Sequence, residues 1–271
     1  MIKWLQVPVG MWRARLSWCC VRHVHGASRA LQQHTTEPMP FEVEFAASHV
    51  AVSGFQRALL AAGSAAVSLL DPSRADAIAI LGETAGHSAV RHMLRRMESH
   101  PEGREILSQR PRINSKTVDL PKLEKMPDGT LGKTYWNFLS SNKVTPDSRL
   151  MVQFVDDVNM GYVIQRYREV HDLVHTLLHM PTNMLGEVTV KWVEALQTRL
   201  PMCIGGALFG AMRLAPKQRR SYTKHYLPWA IQTGSTAEFL MNVYYEKRWE
   251  QPVEDLCREL RVQPLALPHT V

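Results

Sequence analysis

The chain has 271 residues, 45% of them apolar, enough to bury one sizeable core without disulfides or a structural metal. Its net charge of +7 is unevenly placed: Lys3, Arg13, Arg15, Arg22 and Arg29 all precede the first acid, Glu37, and leave +2 for everything after. The remainder is therefore near neutral, which weakens a nucleic-acid reading, since a phosphate backbone demands a basic stripe.

Residues 1–36 are arginine-rich, acid-free and amphipathic, with Trp4, Trp12 and Trp18 among the cations. This is the composition of a mitochondrial presequence. A secretory signal would need an apolar run that Arg13 and Arg15 interrupt. Pro38 and Pro40 mark 37–48 as a linker. A small-residue helix is predicted over 49–70, and its most apolar stretch, ALLAAGSAAVSLL, is too short to cross about 30 Å of hydrocarbon. No transmembrane helix is expected.

Asp71 or Ser73 can cap the next helix, with Pro72 near its first position and Gly82 and Gly86 ending or bending it. HSAVRHMLRRMESH, at 87–100, reads as another helix. Residues 112–148 are the least regular, with a turn at Pro127-Asp128-Gly129 and a short helix over 132–140. One long helix is predicted from Val158 to Pro181, because Tyr162, Val163, Tyr167, Val170, Val174 and Leu178 recur at three and four residues. A second runs from Met184 to Arg199. PMCIGGALFGAMRL is a Gly-rich apolar helix suited to tight packing. The basic segment PKQRRSYTK separates it from YLPWAIQTG, and TAEFLMNVYYEKRWEQ and PVEDLCRELRV read as helical again. No useful β-alternation occurs. The expectation is an all-α protein: one domain of roughly seven to nine helices over 49–271, behind the presequence and linker. Cys19, Cys20, Cys203 and Cys257 show no CxxC spacing, which argues against a zinc ribbon or redox dithiol and fits a reducing compartment.

The chemistry concentrates in HDLVHTLLHMPTNMLGE, 171–187. His171 and His175 lie one turn apart on one helical face, so both imidazoles can reach one ion. Asp172, three before His175, is either a further ligand or an acceptor that orients an imidazole. The short turn at 180–183 makes the flanking helices antiparallel neighbours, so Glu187 faces the end of the first. Two histidines with one or two carboxylates suit zinc or another divalent ion, and so few protein ligands leave positions open for chemistry. Blander roles exist for each residue: histidines at a helix C-terminus serve the dipole, and so does an acid at an N-terminus. His179 extends the ladder but falls toward the helix end. Tyr167 and Arg168 could meet an anionic substrate or serve packing and an ion pair. A histidine–aspartate phosphohydrolase would need His87, His92 and Asp255 together, and no helical register supports that.

YVIQRYREVHDLVHTLLHMPTNMLGEVTVKWVEALQTRLPMCIGGALFG closely resembles the signature region of the ubiquinone (coenzyme Q) biosynthesis protein family, which carries H-D-x-x-H, eleven residues, E. DPSRADAIAILGETAG, GREILSQRPRI, MPDGTLGKTYWNFL, LPWAI and FLMNVYYEKRWEQ extend the likeness over 41–262. The resemblance implies an all-helical mitochondrial protein, peripheral on the matrix side of the inner membrane and its lipid surface. It implies membership of the ubiquinone-synthesising complex and leaves a homodimer open. It implies a zinc-type divalent site at His171, Asp172, His175 and Glu187, which are also the expected catalytic residues. The implied reaction is carboxy-lyase chemistry: removal of the C1 carboxylate of a polyprenylated hydroxybenzoate, with hydroxylation of that carbon. The alternative is a lipid-binding scaffold of the complex with a structural ion. The chain departs from the family at Asn159-Met160-Gly161, where an acid and a small apolar pair are usual, and at His179 and Arg199, where glycine is usual.

Overall fold

The computed structural model describes residues 39–72 and 74–267. The presequence expected over 1–36 lies outside them, as does Ser73. From Pro40 onward the described chain forms one unit. Its regular elements are all helical, and the one β feature among the described residues is an isolated bridge between Thr130 and Pro252.

The expected linker is partly helix. Residues 41–48 form α1 (Phe41–Ser48), directly after Pro40. Phe41 and Phe45, one turn apart, are its buried residues, and the Phe41 ring meets the Tyr162 ring edge-on at 5.3 Å. Burying two aromatic rings on a neighbouring helix outweighs the breaker signal of two prolines that precede the helix without interrupting it.

Then come α2 (Gly54–Leu70), started by a capping box between Ser53 and Gln56, α3 (Ala75–Ala85), α4 (His87–Glu98) and α5 (Pro101–Gln109). They are followed by α6 (Leu120–Glu124) and α7 (Leu131–Asn142), the latter capped by the Thr130 hydroxyl. The long helix is α8 (Val158–Leu177), capped by Asp157, and its partner is α9 (Met184–Thr198), capped by Asn183. The remainder is α10 (Pro201–Ala211), α11 (Pro216–Ser221), α12 (Leu227–Thr236) and α13 (Val253–Glu259). Prolines in the first turns of α5, α6, α10 and α11 restart the helix each time. The same all-helical chain is therefore cut into shorter pieces than the seven to nine expected.

TAEFLMNVYYEKRWEQ does not continue as a helix. It holds only two short 3-10 turns, Leu240–Asn242 and Tyr245–Lys247. Its backbone groups serve other elements instead: Val243 O accepts from Arg166, Glu238 O accepts from Gln197, and Tyr244 N donates to Glu102. Helical periodicity in its side chains could not report those competing partners.

Helix α8 is the axis. It packs against α1, α4, α5, α7 and α9, and every residue from Gly161 to Leu177 is buried. Its apolar stripe was legible, but its charged residues are buried too, each with a partner. Arg166, wholly enclosed, pairs with Glu246. Arg168 pairs with Glu83 at 2.5 Å, and Glu169 with Arg112 at 2.7 Å. Such enclosed ions persist only where paired and hydrogen-bonded. Arg168 and Tyr167, weighed above as contacts for an anion, are occupied within the fold.

Helix α10 packs against α9 across two glycines, as its composition suggested. A Cβ at Gly210 would stand 2.6 Å from Val188 Cγ2. This close seating holds α9, and with it Glu187, against the end of α8.

Candidate metal centre

His171 and His175 project from the last two turns of α8, and Glu187 from the first turn of α9. The connection is short and tightly built. Met180 N donates to His175 O at 3.0 Å, reversing the chain immediately after the second histidine. His179, at the reversal, has φ +50 and is exposed. Asn183 then caps α9 by accepting from Gly186 N at 3.0 Å. Gly186 is required here, since a Cβ on it would lie 1.9 Å from Pro181 O. That close approach sets the first turn of α9 directly over the turn.

The result is convergence. His171 Nε2 and His175 Nε2 lie 3.7 and 3.5 Å from the same oxygen, Glu187 Oε2. The two imidazoles are nearly perpendicular, with centroids 4.8 Å apart. The three residues offer ligand atoms within 4.8 Å of one another. Zinc bonds of about 2.0–2.2 Å arranged tetrahedrally would space neighbouring ligand atoms about 3.3–3.6 Å apart, close to the two histidine–glutamate distances.

Each imidazole is oriented from behind. His171 Nδ1 is 2.6 Å from Glu194 Oε1, and His175 Nδ1 is 3.1 Å from Met180 O. Both acceptors place the ring proton on Nδ1, leaving both Nε2 lone pairs facing Glu187. With both rings neutral, three acceptors face one another with no donor between them. His175 Nε2 is buried with no hydrogen-bond partner, an arrangement that costs about 1–3 kcal/mol unless something binds there. A divalent cation satisfies all three at once, so the residues fit the ion that the motif implies.

Burial opposes the Glu187 charge, but the facing His175 and His171 hold its carboxyl well below the usual range, so Glu187 stands as an ionised carboxylate. Burial likewise opposes ionisation of Glu194, yet His171 and Lys191 hold it far below the usual range. Lys191 Nζ donates to Glu194 Oε2 at 2.7 Å, and Tyr167 OH donates to the same oxygen at 2.8 Å. Glu194, which also accepts from Cys203 Sγ at 3.7 Å, is thus a buried carboxylate fixed by four partners and turned toward His171.

Asp172 is not part of the convergence. Its Oδ1 accepts from Arg149 Nη2 at 2.5 Å. Successive helical residues diverge by about 100°, so a face that sends His171 and His175 to Glu187 sends Asp172 elsewhere. Nor does Asp172 orient His175, because Met180 O does. His179 also stays outside, and among the described residues His87, His92 and Asp255 enter no such group. Glu194 was missed from the sequence. Its signal was present: it follows Glu187 by seven residues and so falls on the same face of α9 two turns on.

A family model described as "Coenzyme Q (ubiquinone) biosynthesis protein Coq4" matches residues 47–266. The chain is 54% identical over 237 residues to the mitochondrial ubiquinone biosynthesis protein COQ4 homolog of Anopheles gambiae, covering 85% of this chain and 84% of that one. It is 49% identical over 258 residues to the homolog of the same name from Drosophila ananassae, covering 94% and 97%. Among solved structures, it is similar to a Nostoc punctiforme protein assigned to ubiquinone biosynthesis. The TM-score is 0.61 at 18% identity, over 75% of this chain and 97% of that one, a likeness of fold.

Proposed function

The chain belongs to the Coq4 family of coenzyme Q (ubiquinone) biosynthesis proteins, and from that premise we propose that it is the carboxy-lyase that removes the C1 carboxylate of a polyprenylated hydroxybenzoate. His171, His175 and Glu187 would hold a divalent ion, zinc or another, in that role. The observation that carries this reading is the unpartnered His175 Nε2, facing the same carboxylate oxygen as His171. Three protein ligands leave coordination positions for a substrate oxygen, as catalytic sites do.

A divalent ion held by His171, His175 and Glu187 would supply Lewis acidity toward a ring-borne oxygen. Everything else falls to the chain. Glu194 and Met180 O keep the histidine protons on Nδ1. Lys191 and Tyr167 hold Glu194 in place. Phe138, whose ring lies 5.7 Å from that of His175, helps to exclude water beside it. In decarboxylation the C1–carboxyl bond breaks, carbon dioxide leaves, and the electron pair stays on C1. Hydroxylation of that carbon draws on an external oxidant such as dioxygen.

The polyprenyl tail keeps the substrate in a bilayer, since each buried methylene is worth about 0.8 kcal/mol. No helix among the described residues is long and apolar enough to cross one. The face for meeting one is α2 with α10. Helix α2 has a single buried residue, Ser64, and exposes Phe55, Leu59, Leu69 and Leu70. Helix α10 and its end expose Ile204, Leu208, Phe209 and Met212, and Arg213 donates to Leu69 O, joining the two ends. No acid occurs from 195 to 237, while Arg199, Arg213, Lys217, Arg219, Arg220 and Lys224 are all exposed. An apolar face rimmed by cations suits an anionic lipid surface. The named relatives are mitochondrial, and we place this chain on the matrix side of the inner membrane, in contact with the other proteins of the pathway.

Glu187→Gln tests the reading. Purified protein should lose its metal by elemental analysis, and carbon dioxide release from a synthetic prenylated hydroxybenzoate should fall at least a hundredfold. If release persists while the variant still assembles with its partners, the chain is a scaffold and the ion structural.

A further inference from the structure

Beside the three ligands stands a second group of polar atoms that the metal reading leaves unused. Arg149 follows a short 3-10 turn, Pro146–Ser148, and reaches Asp172 with one nitrogen. Its Nε is buried and has no hydrogen-bond partner. The side chain as a whole is half-buried, 30% exposed. Tyr135, on α7, is wholly buried, and its hydroxyl also has no partner.

These atoms belong to one neighbourhood. Tyr135 and Phe138 lie one turn apart on α7, and Asp172 and His175 lie one turn apart on α8, against which α7 packs. Phe138 stands against His175. After burial, which pushes the Tyr135 hydroxyl well above its usual range, the strongest charges acting on it are Asp172 and then Arg149. Glu187 and Tyr135 in turn act on Arg149. Tyr135 therefore remains a hydroxyl donor at neutral pH, and the Arg149 that acts on it also has a nitrogen without a partner.

A buried donor without an acceptor is costly to the fold, and two of them on segments that contact the same turns of α8 as His175 mark a place built for a ligand. Their chemistry names its class. Arg149 Nε and the Tyr135 hydroxyl are both donors, and guanidinium presents a planar fork that matches a carboxylate. Charge points the same way. Arg149, Asp172, Glu187 and a divalent ion together sum to +1, one anion short of neutrality.

We infer that Arg149 and Tyr135 form a subsite for the ring-borne carboxylate of the substrate, adjoining the ligand triad and separate from it. This rests on the proposed decarboxylation. The subsite grips the substrate's carboxylate and meets no anion at that carbon in the product, so it selects substrate over product. Tyr135 and Arg149 are then specificity residues for the reaction.

The probes are a 4-hydroxybenzoate bearing a short prenyl chain and the matching phenol without the carboxylate, titrated against the zinc-loaded full chain. The wild type should bind the acid at least tenfold more tightly than the phenol. Tyr135→Phe removes an oxygen with no partner in the fold, so its melting temperature should not fall. Its affinity for the acid should drop about three- to tenfold, with phenol and zinc binding unchanged. Arg149→Gln should raise KM for the acid about ten- to a hundredfold and abolish the preference for acid over phenol. Unchanged acid binding in both variants overturns the subsite, and so does a loss of zinc that tracks the loss of acid. Equal binding of acid and phenol by the wild type overturns it as well. The two readings fail separately. A wild type that prefers the acid but releases no carbon dioxide keeps the subsite and loses the decarboxylase. Carbon dioxide release with KM unmoved in both variants does the reverse.

Discussion

Glu194 Oε1 lies 2.6 Å from His171 Nδ1, deep between α8 and α9, and this contact decides which nitrogen of the ring faces Glu187. A carboxylate behind a ligating imidazole fixes its tautomer and raises its basicity. Glu194→Gln should therefore weaken zinc binding about ten- to a hundredfold, read by competition with a chelator of known affinity. Unaltered affinity would show that His171 is held by packing alone.

Acidity should act oppositely on the metal-free and zinc-loaded chains. Burial lowers the His171 pKa, but Glu194 outweighs it and the net shift is upward. The stability His171 contributes without metal is therefore full below its unfolded value of about 6.5 and is lost as pH rises through the higher folded one. Glu187 is shifted down, so its contribution is present above about pH 4.3 and lost on acidification through its folded value. Zinc needs both Nε2 atoms free of protons, and its binding strengthens with pH. The gap in Tm between zinc-loaded and metal-free protein should widen from pH 5.5 to 8 (about the range over which histidine titrates). A gap that stays constant would remove the histidines from the ligand set.

The lipid-facing surface predicts salt-sensitive binding. Full-length protein should float with vesicles containing about a third anionic lipid and should be released as ionic strength rises. Phe55→Ser with Leu59→Ser should reduce flotation severalfold without lowering Tm, since both side chains are exposed. Binding that ignores both lipid charge and these residues would place the contact elsewhere.

Arg166 is the stability test of the central helix. It is wholly buried and bonded to Glu246 and to Val243 O. Arg166→Met alone strands Glu246 and should cost about 3–5 kcal/mol by denaturant unfolding. Adding Glu246→Leu should recover part of that loss. Additive costs in the double variant would mean that the two residues act independently.

The long helix and its partner were legible because apolar residues recur at helical spacing and because Asp157 and Asn183 stand where caps belong. The departures at His179 and Arg199 were legible as well. Both adopt left-handed backbone, φ +50 and +61, the conformation for which glycine is the usual residue. The segment 238–251 was not legible, since its backbone is claimed by side chains from distant elements.

Sequence by itself determined the all-helical class, the central helix pair and the meeting of His171, His175 and Glu187, because periodicity and a short turn are local properties of the chain. Tertiary structure alone decided that Asp172 turns to Arg149, that Glu194 stands behind His171, and that Tyr135 is buried with an unpartnered hydroxyl. Those pairings join residues far apart in sequence or on different faces of a helix, and only the packing of one helix on another sets the distances between them.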